Sequence, residues 1–366
     1  MTTPSHPFPL IDVSGPARAR GEQYAEQASD RIAISINNYR NAFAGINISW
    51  EQACGIAASF IPKLEADEKD LYPEIEGIAA GSGYSIPEIL ALNCRTEIIY
   101  GQNNATNDPT DGCTAFAAMP SATANGHTLH AQNWDWRDDC AETTVVLRIR
   151  RDNGPDILTV TEAGNLARCG MNSNGIALTG NFLKCEHDNK PGGVPIPFAR
   201  RHILEQSAYS GAIEVALNTP KSFSSNMIIS HGDGECIDIE TVPGDNFWIQ
   251  ATNGLLVHAN HFEAPSALAK VRDEGLKVVP CSLHRVRRVR EYLTAKVGSL
   301  TLEHAKEAFS DKFDNPYGVC AEPDTGPGGD NSSTVATILM DVTDQKMWLA
   351  VRPYQKHSYS EYGFTD

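Results

Sequence analysis

The chain reads as an α+β protein built in layers, on three observations. Its first third carries apolar residues at helical spacing, and the stretch after Cys113 is dominated by short strand patterns. Two further helical blocks then interrupt those strands.

Leu10-Ile11-Asp12-Val13 is a short strand candidate, ended by Ser14-Gly15-Pro16. From Pro16 to Phe43 the residues Tyr24, Ala28, Ile32, Ile36, Tyr39 and Phe43 recur three or four apart, the spacing of one buried helix face. Further helices are expected at 50–71, 73–81 and 85–100. The last opens with Ser85-Ile86-Pro87-Glu88, where a serine cap and a glutamate three residues on have capping-box spacing. Residues 101–112 are polar and breaker-rich, hence an exposed loop where a chain is readily cut. Strands are expected at 113–119, 126–132, 144–151, 157–162, 175–182, 225–230, 235–242, 246–250, 254–259, 334–342 and 346–352, many separated by Gly, Asn or Asp. Helical blocks at about 197–218 and 281–311 interrupt them. Residues 322–333 are breaker-dense and read as a surface loop, with a lid the lesser alternative.

Composition narrows the partners. The 366 residues are 41% hydrophobic and 21% charged, the balance of a globular protein with a sizeable core. A net charge of −16 argues against nucleic acid or an anionic membrane surface as partner. Nine cysteines, an odd number without a C-x-x-C pair, fit a reducing compartment. The first residues lack a basic and an apolar segment of the secretory kind, no apolar run is long enough to span a membrane, and the last residues carry no peroxisomal tripeptide. The expected location is cytoplasmic.

Gly112-Cys113 is the only Gly-Cys dipeptide and lies where the character of the chain changes. A thiol freed as a new N-terminus has a nucleophile and a base on one residue. An α-amine with a pKa near ~8 can take the proton of a thiol near ~8.5. The plain alternative is a buried, inert cysteine. Gln132-Asn133-Trp134-Asp135-Trp136 follows the 126–132 strand candidate, and Asp135 is placed to orient an amine; a turn with local backbone bonds is the other reading. Val257-His258-Ala259-Asn260-His261-Phe262 ends another strand candidate and offers Asn260 as an oxyanion donor, its histidines being either active or structural. Asn181 is a second donor candidate. His127, His130 and Asp135 could be grouped as metal ligands, but known ligand spacings are missing and no metal is expected. Gly81-Ser82-Gly83 is too short for a dinucleotide fingerprint, and no cofactor is expected. The basic run His284 to Arg290 reads as a solvated helix face, or as a receiver for an anionic substrate such as a coenzyme A phosphate.

Together these pieces resemble the isopenicillin N acyltransferase family within the N-terminal nucleophile hydrolases. The likeness runs through Gly15 to Gly21, Tyr72 to Gly81, Leu92 to Glu97, Asp111-Gly112-Cys113-Thr114, Gln132 to Asp135, Thr161 to Gly164, Gly192 to Pro195 and His258 to His261. It implies a four-layer αββα sandwich and self-cleavage between Gly112 and Cys113. Residues 1–112 would form a small helical α segment and 113–366 a larger β segment that stays bound to it. It further implies an acyl-Cys113 intermediate, with the Cys113 amine as base, Asp135 positioning that amine, Asn260 helping to hold the oxyanion, and Asn181 as a further polar partner in the same pocket. The implied reaction is acyl transfer from acyl-coenzyme A to 6-aminopenicillanic acid or a related amine. Hydrolysis of a small N-acyl compound is the alternative, and a binding protein that has lost the chemistry is another. One departure is clear: Asp330-Asn331-Ser332-Ser333-Thr334 aligns where the fungal penicillin enzyme of the family has Ser-Arg-Gly-Ala-Thr, so an arginine is absent and penicillin-type substrates are in doubt.

Overall fold

The computed structural model describes residues 7–101, 112–326 and 331–365. Most of the 101–112 loop, the middle of the 322–333 loop, and Asp111 and Asp330 lie outside the described residues.

Two sheets stack face to face between helical layers. One has eight strands in the order β1 (Leu10–Ser14), β4 (Thr144–Arg150), β5 (Ile157–Glu162), β6 (Cys169–Asn172), β7 (Ile176–Phe182), β8 (Ser225–His231), β9 (Glu235–Val242) and β10 (Asp245–Gln250). The other has six, ordered β11 (Leu255–His258), β2 (Cys113–Ala118), β3 (Leu129–Arg137), β12 (Ser332–Asp341), β13 (Lys346–Val351) and β14 (Tyr359–Gly363). All neighbours are antiparallel except β1 and β4. Side chains on a strand alternate between faces. Ala115 and Ala117 of β2 therefore meet Ile228 and Cys236 of the opposite sheet, while Phe116 and Ala118 face the helices beyond.

On the eight-stranded side, α1 (Ala17–Gly45) buries Tyr24, Ile32, Ile36, Tyr39 and Phe43, as the spacing predicts. Each such side chain contributes about 1.5–3 kcal/mol when fully buried. Next come α2 (Trp50–Ala58), α3 (Ile61–Asp67), α4 (Tyr72–Ser82), α5 (Ile86–Asn93) and α6 (Arg95–Tyr100), with α7 (Ile196–Leu204) and α8 (Tyr209–Asn218) later in the chain. The expected capping box is formed: the Ser85 amide donates to Glu88 Oε2 at 3.0 Å. Gly21 and Gly77 let α1 and α4 touch backbone to backbone; a Cβ at either would lie 2.1 Å from a carbonyl oxygen of the other helix. Beyond the six-stranded sheet, α9 (Pro265–Leu268) precedes α10 (Ser282–Thr294) and α11 (Leu302–Ala308), whose Val286, Val289, Leu293 and Ala305 pack on Phe116 and Leu129.

Long helical stretches prove to be broken. The 50–71 stretch divides at Ser59-Phe60, 85–100 at Cys94, 197–218 around Ser207, and 281–311 at Gly298. Strands β6 and β14 were not expected, β6 being short and β14 polar. The strand expected at 126–132 instead runs through 129–137. Residues 132–136 are thus part of it, not a turn beyond it.

Residues before and after the 112/113 junction are knitted together. Strand β1 pairs with β4. Buried Glu74 takes Arg20 Nη2 at 2.9 Å and Arg201 Nη1 at 3.0 Å. Tyr39 donates to Glu162 Oε1 at 2.6 Å.

Candidate active site

Cys113 is the first residue of β2, a strand with neighbours on both sides. The β2–β3 register sets Cys113 opposite Trp134, and the Asp135 amide donates to Gly112 O at 2.8 Å. The β2–β11 register pairs Ala115 with His258, so the antiparallel chain carries Asn260 back to the start of β2. There Cys113 N donates to Asn260 Oδ1 at 2.7 Å. Asn260 is held by both ends: its amide donates to Ser282 Oγ at 2.7 Å, and Nδ2 donates to Phe182 O at 3.0 Å.

Asp135 points to the other face of β3 from Trp134. Thr334 Oγ1 donates to its Oδ1 at 2.6 Å, next to an irregularity in the β3–β12 register between Thr334 and Ala336. Its Oδ2 lies against Gly112, where a Cβ would sit only 3.1 Å away. The carboxylate thus adjoins the junction with Cys113.

Two arginines complete the arrangement, and neither was singled out from sequence. Arg285 is 1% exposed and donates from Nη1 to Cys113 O at 2.7 Å and Thr114 Oγ1 at 2.8 Å, and from Nη2 to Asn260 Oδ1 at 2.9 Å. Its Nη1 is 3.9 Å from Asp135 Oδ2. The segment aligned with the missing arginine supplies Thr334 to Asp135, and the guanidinium beside that carboxylate comes from α10. The basic run therefore divides. Arg285 turns inward with Ser282, Val286 and Val289, whereas Arg287, Arg288 and Arg290 pair with Glu291, Asp311 and Glu263. The second arginine, Arg168, donates from Nη2 to Cys113 Sγ at 3.2 Å and stacks on Trp134 at 4.3 Å.

The remaining candidates fall elsewhere. Asn181 Nδ2 donates to Asn226 Oδ1 at 2.9 Å, and its Oδ1 accepts from Gln132 at 3.0 Å, within a buried chain between the sheets. His258 presents Nδ1 to Ala259 O and Nε2 to Glu240 Oε1, both at 2.9 Å. Burial pulls its pKa down, but Asp238 and Glu240 outweigh this and leave it raised to about 9. It is a cation fixed by two acceptors, a structural role. His127, His130 and Asp135 do not converge. His127 precedes β3 and meets Asp341 at 2.9 Å, while His130 lies between Ser230 and Thr179, its pKa pushed by burial down to about 3.

A cavity of about 450 Å³ opens beside the junction, lined among others by Gly112, Asp135, Arg285, Tyr317, Ala321 and Ser332. That is the size of a small-molecule site. No helix among the described residues is long and apolar enough to cross a membrane.

Comparison with known proteins identifies the kinship. The sequence profile of the family described as acyl-coenzyme A:6-aminopenicillanic acid acyl-transferase matches residues 121–354. The acyl-coenzyme A:6-aminopenicillanic-acid-acyltransferase 40 kDa form of Emericella nidulans is 32% identical over 279 residues, covering 75% of this chain and 73% of that protein. Among solved structures, a mutant of the conjugated bile acid hydrolase from Clostridium perfringens aligns with a TM-score of 0.50 at 14% identity, over 69% of this chain and 92% of that one. Penicillin V acylase from Agrobacterium tumefaciens gives 0.49 at 15% identity, over 69% and 87%. The fold is the α+β, four-layer αββα sandwich of the N-terminal nucleophile hydrolases. The chain belongs to the acyl-coenzyme A:6-aminopenicillanic acid acyltransferase family.

Proposed function

We propose that this protein is a thiol enzyme of acyl transfer, activated by cleavage between Gly112 and Cys113. The observation that carries the reading is the set of bonds around that junction. Cys113 N is held by Asn260 Oδ1, Gly112 O by the Asp135 amide, and Cys113 Sγ by Arg168.

In the cleavage step, Sγ attacks the Gly112 carbonyl carbon and the negative oxygen is received by the Asp135 N–H. The C–N bond then breaks, the Cys113 nitrogen takes a proton, and water hydrolyses the resulting thioester. Residues 1–112 and 113–366 remain together through the Glu74 and Glu162 contacts. In turnover, the freed amine takes the thiol proton and the thiolate attacks an acyl carbonyl. The donor's C–S or C–N bond breaks, and its leaving thiol or amine takes the proton from the Cys113 ammonium. Water or the acceptor amine then attacks the acyl-Cys113 thioester and releases the thiol. Asn260 Oδ1 and the Asp135 carboxylate position the amine. One Asn260 Nδ2 hydrogen goes to Phe182 O, and the second N–H of the same amide can serve the oxyanion. Asn181 supports the pocket through Gln132.

The acyl donor is an acyl-coenzyme A thioester and the acceptor 6-aminopenicillanic acid or a related amine, as the Emericella relative's name describes. Hydrolysis of a small N-acyl compound, with water as acceptor, is a second reading through the same acyl-Cys113, and the arginine absent from 330–334 weighs against penicillin-type substrates. A cytoplasmic setting is supported by the nine cysteines, an odd number without a C-x-x-C pair, which suit a reducing compartment. The test is Cys113→Ala. It should leave one 39.8 kDa chain and abolish acyl release to water and to added amine alike; a cleaved, active Cys113→Ala protein refutes the proposal. In wild type, free acid against amide product decides between the two readings.

A further inference from the structure

Self-cleavage needs an activated sulfur before any amine is free. In the uncleaved chain the Cys113 nitrogen belongs to a peptide bond, so the base that serves turnover does not yet exist. Cys113 is fully buried, and burial disfavours a thiolate. Two other buried thiols show how strongly: burial, with nearby carboxylates adding to it, pushes Cys236 and Cys320 up to about 12. A sulfur so placed is inert unless a cation answers it.

Arg168 is such a cation. Its Nη2 donates to Cys113 Sγ at 3.2 Å, and the residue is 4% exposed. The sheet register puts it there. Cys113 and Trp134 lie directly opposite on β2 and β3, so their side chains leave the same face. The guanidinium stacks 4.3 Å from the Trp134 ring centroid, which brings Nη2 to the neighbouring sulfur. Arg168 Nε is buried without a hydrogen bond, and no carboxylate among the described residues pairs with this side chain. A guanidinium keeps its charge, and a buried charge is costly unless it is paired. The thiolate matches it better than the neutral thiol. Other charged groups meet Cys113 elsewhere. Arg285 from α10 donates to its carbonyl oxygen, and Asp135, on the opposite face of β3 from Trp134, adjoins Gly112. Arg95 and Arg200 line a small cavity with Arg168 but have partners of their own.

We propose that Arg168 holds the Cys113 sulfur as a thiolate in the uncleaved chain and so starts self-cleavage, the α-amine taking over as base only afterwards. The proposal rests on Cys113 as nucleophile. The thiol gives its proton to water beforehand. Sγ then bonds to the Gly112 carbonyl carbon, and the carbonyl electron pair moves onto oxygen. When the C–N bond breaks, its electron pair stays on the Cys113 nitrogen, which takes a proton from water. Water hydrolyses the thioester to the Gly112 carboxylate and frees the sulfur. Arg168 donates a hydrogen bond throughout and gives up no proton.

The test follows chain cleavage of freshly made precursor against pH. In Arg168→Gln the rate at pH 7 should fall by about 10-fold or more, and that loss should shrink by about 10-fold or more towards pH ~9.5, where hydroxide ionises the thiol unaided. Arg168→Lys, which keeps a charge, should recover part of the loss at pH 7. Turnover per cleaved molecule should fall less than cleavage does, because the amine is then present. An equal loss at both pH values, no loss, or a larger fall in turnover overturns the proposal. Should the Arg168 variants fail to fold, thiolate absorbance near ~240 nm reads the ionisation directly in uncleaved chain, as the difference between Gly112→Val alone and Gly112→Val combined with Cys113→Ala. The midpoint should lie below ~8.5, the ordinary thiol value, despite burial; a midpoint at or above it overturns the proposal. Should wild type never cleave, the nucleophile reading fails, and the same midpoint still decides whether Arg168 holds a thiolate.

Discussion

Replacing Gly112 by alanine should slow chain cleavage about fourfold. The added Cβ would stand 3.1 Å from Asp135 Oδ2, where ordinary contact begins at 3.4 Å, so one of them must give by about 0.3 Å. Asp135 is poorly able to yield. Its Oδ1 is tied to Thr334 at 2.6 Å, and Arg285, whose Nη1 is 3.9 Å from Oδ2, borders the added carbon too, with Nη2 at 3.5 Å. The carbonyl to be attacked is the part displaced. A 1 Å misplacement costs about 10²-fold, so 0.3 Å scales to roughly fourfold. Valine at the same position places further carbons against the carboxylate and should slow cleavage by more than about 10-fold. The assay is the time course of the two fragments from freshly made precursor on a denaturing gel. Turnover per cleaved molecule should fall less than the cleavage rate, because the substitution lies outside the nucleophile-bearing segment. Cleavage of Gly112→Val at the wild-type rate would refute the reasoning.

Other expectations follow from named contacts. Asp135→Asn and Asn260→Ala should each lower turnover of cleaved protein by about 10²-fold or more, the scale of a lost oxyanion-type contact; near-normal kcat/KM removes that residue from the site. Glu74→Gln leaves Arg20 and Arg201 buried without their shared carboxylate and should cost about 3–5 kcal/mol in urea unfolding. An unchanged midpoint would show that those contacts contribute little. His258, ordinarily near 6.5, is raised to about 9 in the fold, so the folded state holds the proton more tightly. Its contribution is full below about pH 6.5 and is lost by about pH 9, with a slope of at most ~1.4 kcal/mol per pH unit. Stability should fall over that window more steeply in wild type than in His258→Gln, and matching slopes would count against the cationic assignment.

Much of the layered fold was legible because it rests on local signals. The α1 stripe from Tyr24 to Phe43 and the Ser85–Glu88 cap are short-range patterns, and they formed as read. Strand β14 was not legible, since Tyr359 to Gly363 is polar and paired only along one edge. Residues 132–136 looked like a strand end because Asn and Asp favour turns; buried partners such as Phe309 O and Thr334 hold them extended instead. Cys113, Asp135 and Asn260 could be named from their motifs, but only the sheet registers say how they meet. Arg285 had a readable signal, lying on the apolar side of α10 with Val286, Val289 and Leu293. A charge count alone hides this. Arg168 offered only a lone charge in an apolar run, and its place beside the sulfur is set by tertiary packing.

The most direct test is N-terminal sequencing of the larger fragment from freshly purified protein. A single start at Cys113-Thr114-Ala115-Phe116 is expected, recovered in equal amount with a fragment ending at Gly112. An active preparation in which Cys113 remains joined to Gly112 would contradict it.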